Sequence, residues 1–580
     1  MSPDSSPVHP TTPRTMKITA EFQSVLCGEI DSDNLGALVS FCGLNTVEMP
    51  KAQENAQEIR VLGQSSLNVL MVINKNGCST STQPPADKSS CLTSLSKSSF
   101  RTHKGHLSNI IVIDVNKENL KAIWPYLLVS IRNASFISLD LELSGLGIQK
   151  GWLSKSLEER YSVIRQGAQT RSIISVGIAT FQLISRKETN AKKRLKYRCQ
   201  VFNMLTLCTI PFVVEADGLQ FLSKHKFDFN RWISLGIPYD NNTERGSTMK
   251  TLWHEILCIN VPITLHNGLV DLAFIYQHFY SILPETFTEF VVNISDWFLL
   301  LNGTPGLYDS KYISEYITRF NASFLEYVFR KCQRENAIEQ ARNRVYVSVE
   351  FDFTPAETHL KDAIDVVDCN LPGNFDANAS PEPCPINDEQ KNSLCKRYSN
   401  YGFCRDRECS YVHNVDILLS IEDHKQAKIR ERRKRRYDYE SKLNELASTN
   451  DGENEPLSST EKELGSVVDS ATLGTILDQD TAKKAPINLS QATNLRQSIA
   501  GCHRAGVDSF MTGFAVIFMQ RMHLLRSGNF DPNCGNRIAL SGKMVPLIIH
   551  RSDYIKSAGD HIAKWIEIER ERNRRTAAEN

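Results

Sequence analysis

Four carboxylates from three distant stretches of this 580-residue chain could together bind divalent cations. Asp140 and Glu142 interrupt the apolar run Phe136–Leu146 two positions apart, which places both side chains on one face of a strand. Two acids on one face repel each other and resist burial, and a divalent cation removes both costs. An Asp-x-Glu pair alone is weak evidence, because exposed acids on alternating strands are common.

The other two acids stand at the starts of apolar helical stretches. Asp271 lies in the first turn of Leu269–Leu283, directly after the buried strand Val261–His266. Asp508 lies in the first turn of Gly506–Met522. A helix dipole favours a carboxylate at this position, so each acid taken singly could be a simple cap. Together with the strand pair, they predict a shared metal site.

A histidine precedes the last of these acids. His503 lies five residues before Asp508, in the segment that enters the helix. A neutral imidazole there could accept a proton from a metal-bound water. The alternative is a structural histidine.

A second group of metal-ligating residues follows near position 400. Three thiolates and one imidazole, enough for one tetrahedral Zn²⁺, are spaced as Cys395-x8-Cys404-x4-Cys409-x3-His413. The segment has too little apolar surface for a core, so the metal must supply its folding energy. Aromatic residues between the ligands are candidates to stack on single-stranded RNA bases: Tyr398, Phe403 and Tyr411. A purely structural zinc knuckle is the alternative.

A dense basic run comes directly after this cluster. It predicts a nuclear localisation signal or a phosphate-binding helix, with a solvated charged helix as the alternative. Its basic residues are Lys425, Lys428, Arg430, Arg432, Arg433, Lys434, Arg435 and Arg436.

The elements that must position the acids alternate along the chain in a mixed α/β pattern. Short apolar and β-rich runs predict strands, and 119–131 predicts a helix. The basic stretch Arg186–Arg198 reads as a hairpin loop between two of these strands. Residues 352–500 differ from the rest of the chain in composition, which predicts an insertion. After it, the apolar helix Gly506–Met522 is predicted to pack against the sheet.

Composition excludes several classes of protein. The chain has 67 basic and 66 acidic residues, so net charge indicates no partner. No run of about 18 apolar residues predicts a spanning helix, and the first 14 residues lack a signal-peptide pattern. The 15 cysteines are mostly scattered, which favours thiols or metal ligands over disulfides. We expect an intracellular protein without a membrane partner.

Four motifs then carry a family resemblance. They are DLELSGLG at 140–147, HNGLVDLAFIYQHFY at 266–280, YDSKY at 308–312 and HRAGVDSFMTG at 503–513. With them the chain resembles DEDD-superfamily 3′→5′ exonucleases of the His-containing subtype. Within that group it is most similar to nuclear deadenylases of the "target of early growth response" type, which are related to poly(A)-specific ribonuclease.

The resemblance implies a ribonuclease H-like mixed sheet flanked by helices, with an inserted CCCH zinc finger and disordered linkers. It implies that two Mg²⁺ ions, or Mn²⁺ in their place, are bound by Asp140, Glu142, Asp271 and Asp508. It also implies that His503 is the general base and that nucleoside 5′-monophosphates are released. Asp309 lies in a matching motif without being a ligand of the family, and we expect it to be structural.

The implied substrates are single-stranded RNA 3′ ends, poly(A) tails and other 3′ tails of nuclear RNAs, including small nuclear RNAs. The implied location is the nucleus, with the nucleolus or nuclear bodies as sites within it, and the implied partners are nuclear RNA-processing proteins. One alternative is a catalytically silent zinc-finger RNA-binding protein on a nuclease scaffold. Another is a DNA exonuclease on the same scaffold.

These inferences divide the chain into seven regions. They are a largely disordered region (1–105), a first part of the nuclease domain (106–350), the zinc finger (384–416), the basic localisation segment (425–436), a disordered linker (437–499), the final part of the nuclease domain (500–550) and a charged helical tail (551–580).

Overall fold

The computed structural model describes ten stretches of the chain: 107–147, 151–189, 192–240, 247–300, 302–351, 362–373, 375–378, 393–406, 408–448 and 504–579. All of them belong to one compact unit, Gly105–Asn580. The predictions for residues 1–105, for 449–499 and for His503 fall outside these stretches.

A mixed β-sheet forms the centre of the fold. Its strands are β1 (Asn109–Val115), β2 (Phe136–Leu143), β3 (Ile173–Thr189), β4 (Lys192–Cys208), β5 (Ile237–Tyr239), β6 (Ile263–Leu265), β7 (Leu307–Asp309), β8 (Tyr346–Phe351) and β9 (Ile364–Asp368). Their order is β7-β6-β2-β3-β4-β1-β9, and β5 and β8 also pair with β4. Strands β2, β3 and β4 form an antiparallel meander, and β6 and β7 continue parallel to β2. This is the ribonuclease H-like arrangement that the family resemblance implies.

Helices flank both faces of the sheet. They are α1 (Leu120–Arg132), α2 (Leu157–Thr170), α3 (Ala216–Lys224), α4 (Phe229–Leu235), α5 (Thr248–Ile259), α6 (Leu269–Ile275), α7 (Phe287–Trp297), α8 (Leu325–Ala341), α9 (Lys396–Tyr401), α10 (Val415–Ser448), α11 (Ala505–Met519), α12 (Arg521–Ser527) and α13 (Gly559–Glu579). A π-helical turn, Tyr276–Tyr280, extends α6, and β10 (Arg537–Ile538) pairs with β11 (Leu547–Ile548). Among the described residues, none of these helices is long and apolar enough to cross a membrane.

Two cores lie on opposite sides of the sheet. Ile178 and Phe202 point into the first core, where helices α1, α2, α5, α6, α7 and α13 pack. Phe181 and Val201 point into the second, with α8 and α11. Alternate residues of the same strands feed the two cores, because successive strand side chains face opposite sides.

Helix α11 is the centre of the second core, as its apolar sequence predicts. Every residue from Ala505 to Phe518 is buried. The chain leaves the sheet only after β9, which pairs with β1, and it packs on the sheet again in α11. The predicted insertion 352–500 therefore begins too early, because β9 lies inside it and belongs to the sheet. Part of that insertion, the start of α10 and the segment before it, packs into the same core through Tyr398, Val415 and Leu419.

Two further predictions about the bounds of segments are wrong. The stretch Arg186–Arg198 is not a loop, because β3 and β4 remain paired out to Thr189 and Lys192. Strand β8 pairs alongside β4, and an ion pair between Lys196 and Glu350 offsets part of the positive charge. The linker predicted from position 437 does not begin there, because α10 is helical to Ser448. Ion pairs four residues apart, between Arg435 and Glu431 and between Arg436 and Glu440, support its exposed helix.

The C-terminal helix is more than a charged tail. Trp565 and Ile568 of α13 are buried in the first core. The Arg572 guanidinium lies 4.7 Å from the Trp565 ring centroid and donates to the Leu257 carbonyl. The buried His561 contacts the Asp296 carboxylate at 3.1 Å. The helix is therefore an integral part of the folded unit.

A glycine in β3 allows α11 to approach the sheet. A Cβ atom built on Gly177 would lie 1.8 Å from the Ala505 carbonyl oxygen, and a Cβ on Gly506 would lie 2.9 Å from the Asn203 Cβ. Gly177 pairs directly with Asp140 on β2 and with Asn203 on β4. The contact therefore lies beside the predicted metal site and sets how closely α11 approaches it.

We predict that Gly177→Ala lowers the free energy of unfolding by about 3 kcal/mol, since the methyl group must displace a backbone carbonyl. Urea unfolding followed by circular dichroism measures this change. Gly373→Ala is the control, because a Cβ there meets nothing within 4 Å. Equal unfolding midpoints for the two variants would show that the close approach of α11 is not required.

Candidate active site

Strand β2 supplies two acids at its carboxyl-terminal half, where the sequence predicts them. The carboxylates of Asp140, Glu142 and Asp508 each offer an oxygen, and these oxygens lie within 4.8 Å of one another. Asp508 is 8% exposed in the first turn of α11. The packing of α11 on the sheet thus brings Asp508 next to Glu142, although more than 360 residues separate them in the sequence.

The fourth acid, Asp271, lies against the same strand. Its carboxylate accepts a hydrogen bond from the backbone N–H of Leu141, the residue between the two acids of β2. Strand β6, paired in parallel with β2, places the start of α6 there. The structure therefore brings all four predicted acids to one site, with Asp271 on its β6 side.

Asp309 is structural, as expected. This fully buried carboxylate accepts hydrogen bonds from the backbone N–H groups of Gly268 and Tyr312, at 3.1 and 3.0 Å. Gly268 is the N-cap residue of α6. Asp309 thus holds the turn from which Asp271 projects.

Arginine contacts that the sequence analysis missed fix the start of α11. The Arg504 guanidinium binds the carboxylate of Asp114 at the end of β1, at 2.5 Å, and the carboxylate of Asp365 on β9. The Asn203 side chain accepts from the backbone N–H of Gly506 at 3.1 Å. No local pattern identifies these partners, since they come from strands far away in sequence. His503, the predicted general base, immediately precedes Arg504 and lies outside the described residues.

A second missed residue, Glu215, holds the turn that follows β2. Its carboxylate accepts from the backbone N–H groups of Leu146 and Gly147, at 3.2 and 2.8 Å. Arg171 pairs with the same carboxylate at 2.7 Å. The turn after Glu142 is therefore fixed from two sides.

Burial and mutual repulsion dominate the electrostatics of the site. Burial raises the pKa of Asp140 well above its usual range, and the charges of Asp508, Asp271 and Glu142 raise it further. Burial, with a contribution from the charge of Asp309, raises the pKa of Asp271 to about 7. Clustered carboxylate oxygens are the donor set that Mg²⁺ and Mn²⁺ prefer. The residues present therefore fit hard divalent cations.

The cysteine cluster forms a separate site. Ligand atoms of Cys395, Cys404, Cys409 and His413 all lie within 4.8 Å of one another. Cys395 is the N-cap residue of α9, and Gly402 ends that helix with a left-handed φ of 76°. Three thiols and an imidazole at this separation fit one tetrahedral Zn²⁺.

The structure changes the set of aromatic residues available to RNA. Tyr398 is only 7% exposed, its ring stacks on His413 with centroids 5.0 Å apart, and its hydroxyl donates to Glu326. The prediction that Tyr398 stacks on a base is therefore wrong, because its ring is used to pack the cluster against α8. Phe403 and Tyr411 are more than half exposed, and so is Tyr401, which the sequence analysis missed.

Comparison with models of known protein families shows the family to which the chain belongs. The model of the CAF1 family of ribonucleases matches residues 115–252 and 241–516, which is more than half of the chain. The chain belongs to the CAF1 ribonuclease family. Its matched region contains β2, α6 and the part of α11 that carries Asp508, and so all four acids. The resemblance to nucleases related to poly(A)-specific ribonuclease is confirmed.

Relatives in this family match over a limited region. Poly(A)-specific ribonuclease PARN of Danio rerio is 29% identical over 139 residues, which are 23% of this chain and 21% of that protein. The pre-piRNA 3′-exonuclease trimmer of Bombyx mori is 31% identical over 139 residues, 23% of this chain and 26% of that protein. The matches thus span about a quarter of these relatives' lengths.

One solved structure with a similar fold is S. pombe Pop2p in a form with Mg²⁺ and Mn²⁺ bound. It is 16% identical with a TM-score of 0.29, over 38% of this chain and 82% of that one.

We predict that Asp140→Asn raises the thermal unfolding midpoint in buffer without Mg²⁺ or Mn²⁺ by about 2–4 °C at pH 8. A carboxyl whose pKa is raised on folding destabilises the protein increasingly as pH rises above its unfolded pKa. The gain should therefore shrink towards pH 4. Adding Mn²⁺ should raise the midpoint of the parent protein more than that of the variant.

Scanning calorimetry measures both effects. The control is Asp553→Asn, which neutralises an exposed aspartate and should change neither quantity. If Mn²⁺ did not change the thermal unfolding midpoint of the parent protein, cation binding by these acids would be ruled out.

Proposed function

We propose that the chain is a metal-dependent 3′→5′ exoribonuclease that removes poly(A) or other 3′ tails and releases nucleoside 5′-monophosphates. One observation carries the proposal. Four acids from β2, α6 and α11 converge on one site in a member of the CAF1 ribonuclease family. Names of relatives such as poly(A)-specific ribonuclease and pre-piRNA 3′-exonuclease support the same direction and substrate class.

The residues of the site then have separate roles. Two Mg²⁺ ions, or Mn²⁺, would be held by Asp140, Glu142, Asp271 and Asp508, and when bound would supply Lewis-acid stabilisation of the phosphate. Asp309 and Arg504 hold the starts of the two helices that carry Asp271 and Asp508. His503, next to Arg504 in sequence, is the proposed general base that accepts the proton of the attacking water.

The silent RNA-binding alternative explains less of the structure. Binding RNA through a finger requires no cluster of carboxylates, and the repulsion among these acids destabilises the fold unless a cation is bound. A DNA exonuclease on the same scaffold would use the same acids. The Cys/His cluster favours RNA, and a direct comparison of RNA with DNA substrates separates the two.

The Cys395–His413 segment is proposed to be a CCCH zinc finger that binds one Zn²⁺. Phe403 and Tyr411 are its proposed base-stacking residues. The nearby basic residues from Lys425 to Arg436 are proposed to direct nuclear import, which suits nuclear RNAs, including small nuclear RNAs, as substrates and nuclear RNA-processing proteins as partners.

We predict one zinc per purified chain and its loss in Cys409→Ser, because the remaining ligands no longer close a tetrahedral thiolate site. Amide hydrogen exchange should then accelerate in the finger residues 393–414, whose fold depends on the metal, while β2 stays protected. Elemental analysis and exchange mass spectrometry measure the two effects. Cys258→Ala, which removes a thiol outside the cluster, should keep its zinc.

We predict that Asp140→Ala combined with Glu142→Ala leaves a folded protein whose nuclease rate falls by roughly 10³-fold or more, since charge stabilisation at the phosphate is lost. The assay uses Mg²⁺ and 5′-labelled RNAs ending in A, U, C or G tracts, with DNA of the same sequences. Shortening by one nucleotide at a time from the 3′ end is expected.

The matched control is Asp553→Ala combined with Glu567→Ala, which removes the same two side-chain types from exposed positions. It should cleave like the parent protein. Undiminished cleavage by the Asp140/Glu142 variant would refute the proposed site. A parent protein that binds RNA without shortening it would instead favour the silent RNA-binding alternative.

A further inference from the structure

The second half of α10 is exposed to solvent on every side. All thirteen residues from Lys428 to Glu440, here named the basic arm, are exposed, which is more than three full helical turns. No side of the arm therefore packs against the part of the chain that the structure describes. Seven of its residues are basic and three are acidic.

The first turns of α10 are anchored firmly to the nuclease. Arg330 and Arg334 of α8, both nearly fully buried, bind the Asp416 carboxylate at 2.6 and 3.3 Å. Tyr327 of the same helix donates to Glu422 at 2.6 Å. Buried charges paired in this way hold one geometry, because separating them leaves an uncompensated charge.

The anchor connects the arm to both metal sites. Asn414, one residue after the zinc ligand His413, caps α10 by accepting from the Ile417 N–H. On the other side, Phe329 of α8 packs on Phe510 and Phe514 of α11, the helix that carries Asp508. The arm, the finger and the nuclease core therefore have a fixed relative arrangement.

The arm and the exposed finger aromatics lie on one continuous structure. Phe403 and Tyr411 stand before the start of α10, and the arm runs from roughly 20 to 38 Å along that helix. Aromatic rings stack on single-stranded bases, and closely spaced Lys and Arg side chains attract phosphates. This combination matches the chemistry of a single RNA strand.

We propose that the basic arm and the exposed face of the finger bind the body of the substrate RNA at a distance from the cleavage site. This inference deepens the proposed function and depends on it. The finger contributes stacking through Phe403 and Tyr411, and the arm contributes phosphate contacts through residues such as Arg432 and Arg433. Because the start of α10 is held in one position on the nuclease, the protein loses little conformational entropy when RNA binds.

The test compares two double variants of the full-length protein, both carrying Asp140→Asn so that RNA is not cleaved. Arg432→Gln with Arg433→Gln removes two charges from the arm, and Arg570→Gln with Arg574→Gln removes two from exposed positions of α13. Glutamine keeps a helix propensity close to that of arginine. Binding of fluorescent oligo(A) RNAs of about 5 and about 30 nucleotides is measured at several salt concentrations.

For the arm variant, affinity for the long RNA should fall roughly tenfold at low salt. The slope of log K against log salt should become shallower by about 1.4, the value for two single-strand phosphate contacts. The short RNA and the α13 variant should show no change. Phe403→Ala should weaken binding of the long RNA roughly fivefold without changing the salt slope, because stacking releases no counterions.

One outcome would overturn the proposal. An arm variant with the affinity and salt slope of the α13 variant would show that the arm does not contact RNA. Failure of the proposed nuclease is separate, since it appears as a protein with an intact Asp140 that does not shorten RNA.

Discussion

Repulsion among four clustered carboxylates is the constraint on which the rest of this structure depends. Burial raises the pKa of Asp140 and of Asp271, and the charges of Asp508, Asp271 and Glu142 raise the pKa of Asp140 further. The fold holds them together through contacts made elsewhere: Asp309 at the start of α6, Arg504 at the start of α11, and Glu215 at the turn after β2. Sites that are preorganised to bind a metal commonly lower the folding stability of the protein that carries them.

Close packing sets the position of the last ligand. Gly177 and Gly506 have no side chains where α11 crosses the sheet. The start of the helix can therefore lie close to β3 at Gly177, the residue that pairs with Asp140. Phe510 and Phe514 then anchor the rest of the helix against α8, whose arginines in turn hold the start of α10. One chain of contacts therefore runs from the carboxylates to the Cys/His cluster and the basic arm.

The sequence predicts those parts of the site that leave a local pattern. Alternation in β2 identifies Asp140 and Glu142, and apolar helix starts identify Asp271 and Asp508. The Arg504–Asp114–Asp365 contacts and the role of Glu215 leave none, because their partners meet only after the sheet has formed. Tyr398 shows the same limit, since spacing between ligands does not tell which face of a ring is covered. The loop predicted at Arg186–Arg198 is inferred from its density of basic residues. Pairing of β4 with β8 makes part of this segment a strand despite that charge.

The long insertion before α11 has a consequence for the making of this protein. Asp140 and Glu142 leave the ribosome more than 360 residues before Asp508, and domains acquire their contacts in that order during synthesis. At about 5–20 residues per second, the early acids wait some tens of seconds for the late one. While the intervening segment is translated, the nascent chain therefore carries Asp140 and Glu142 without Asp508, and the cluster of four carboxylates forms only after α11 has been made.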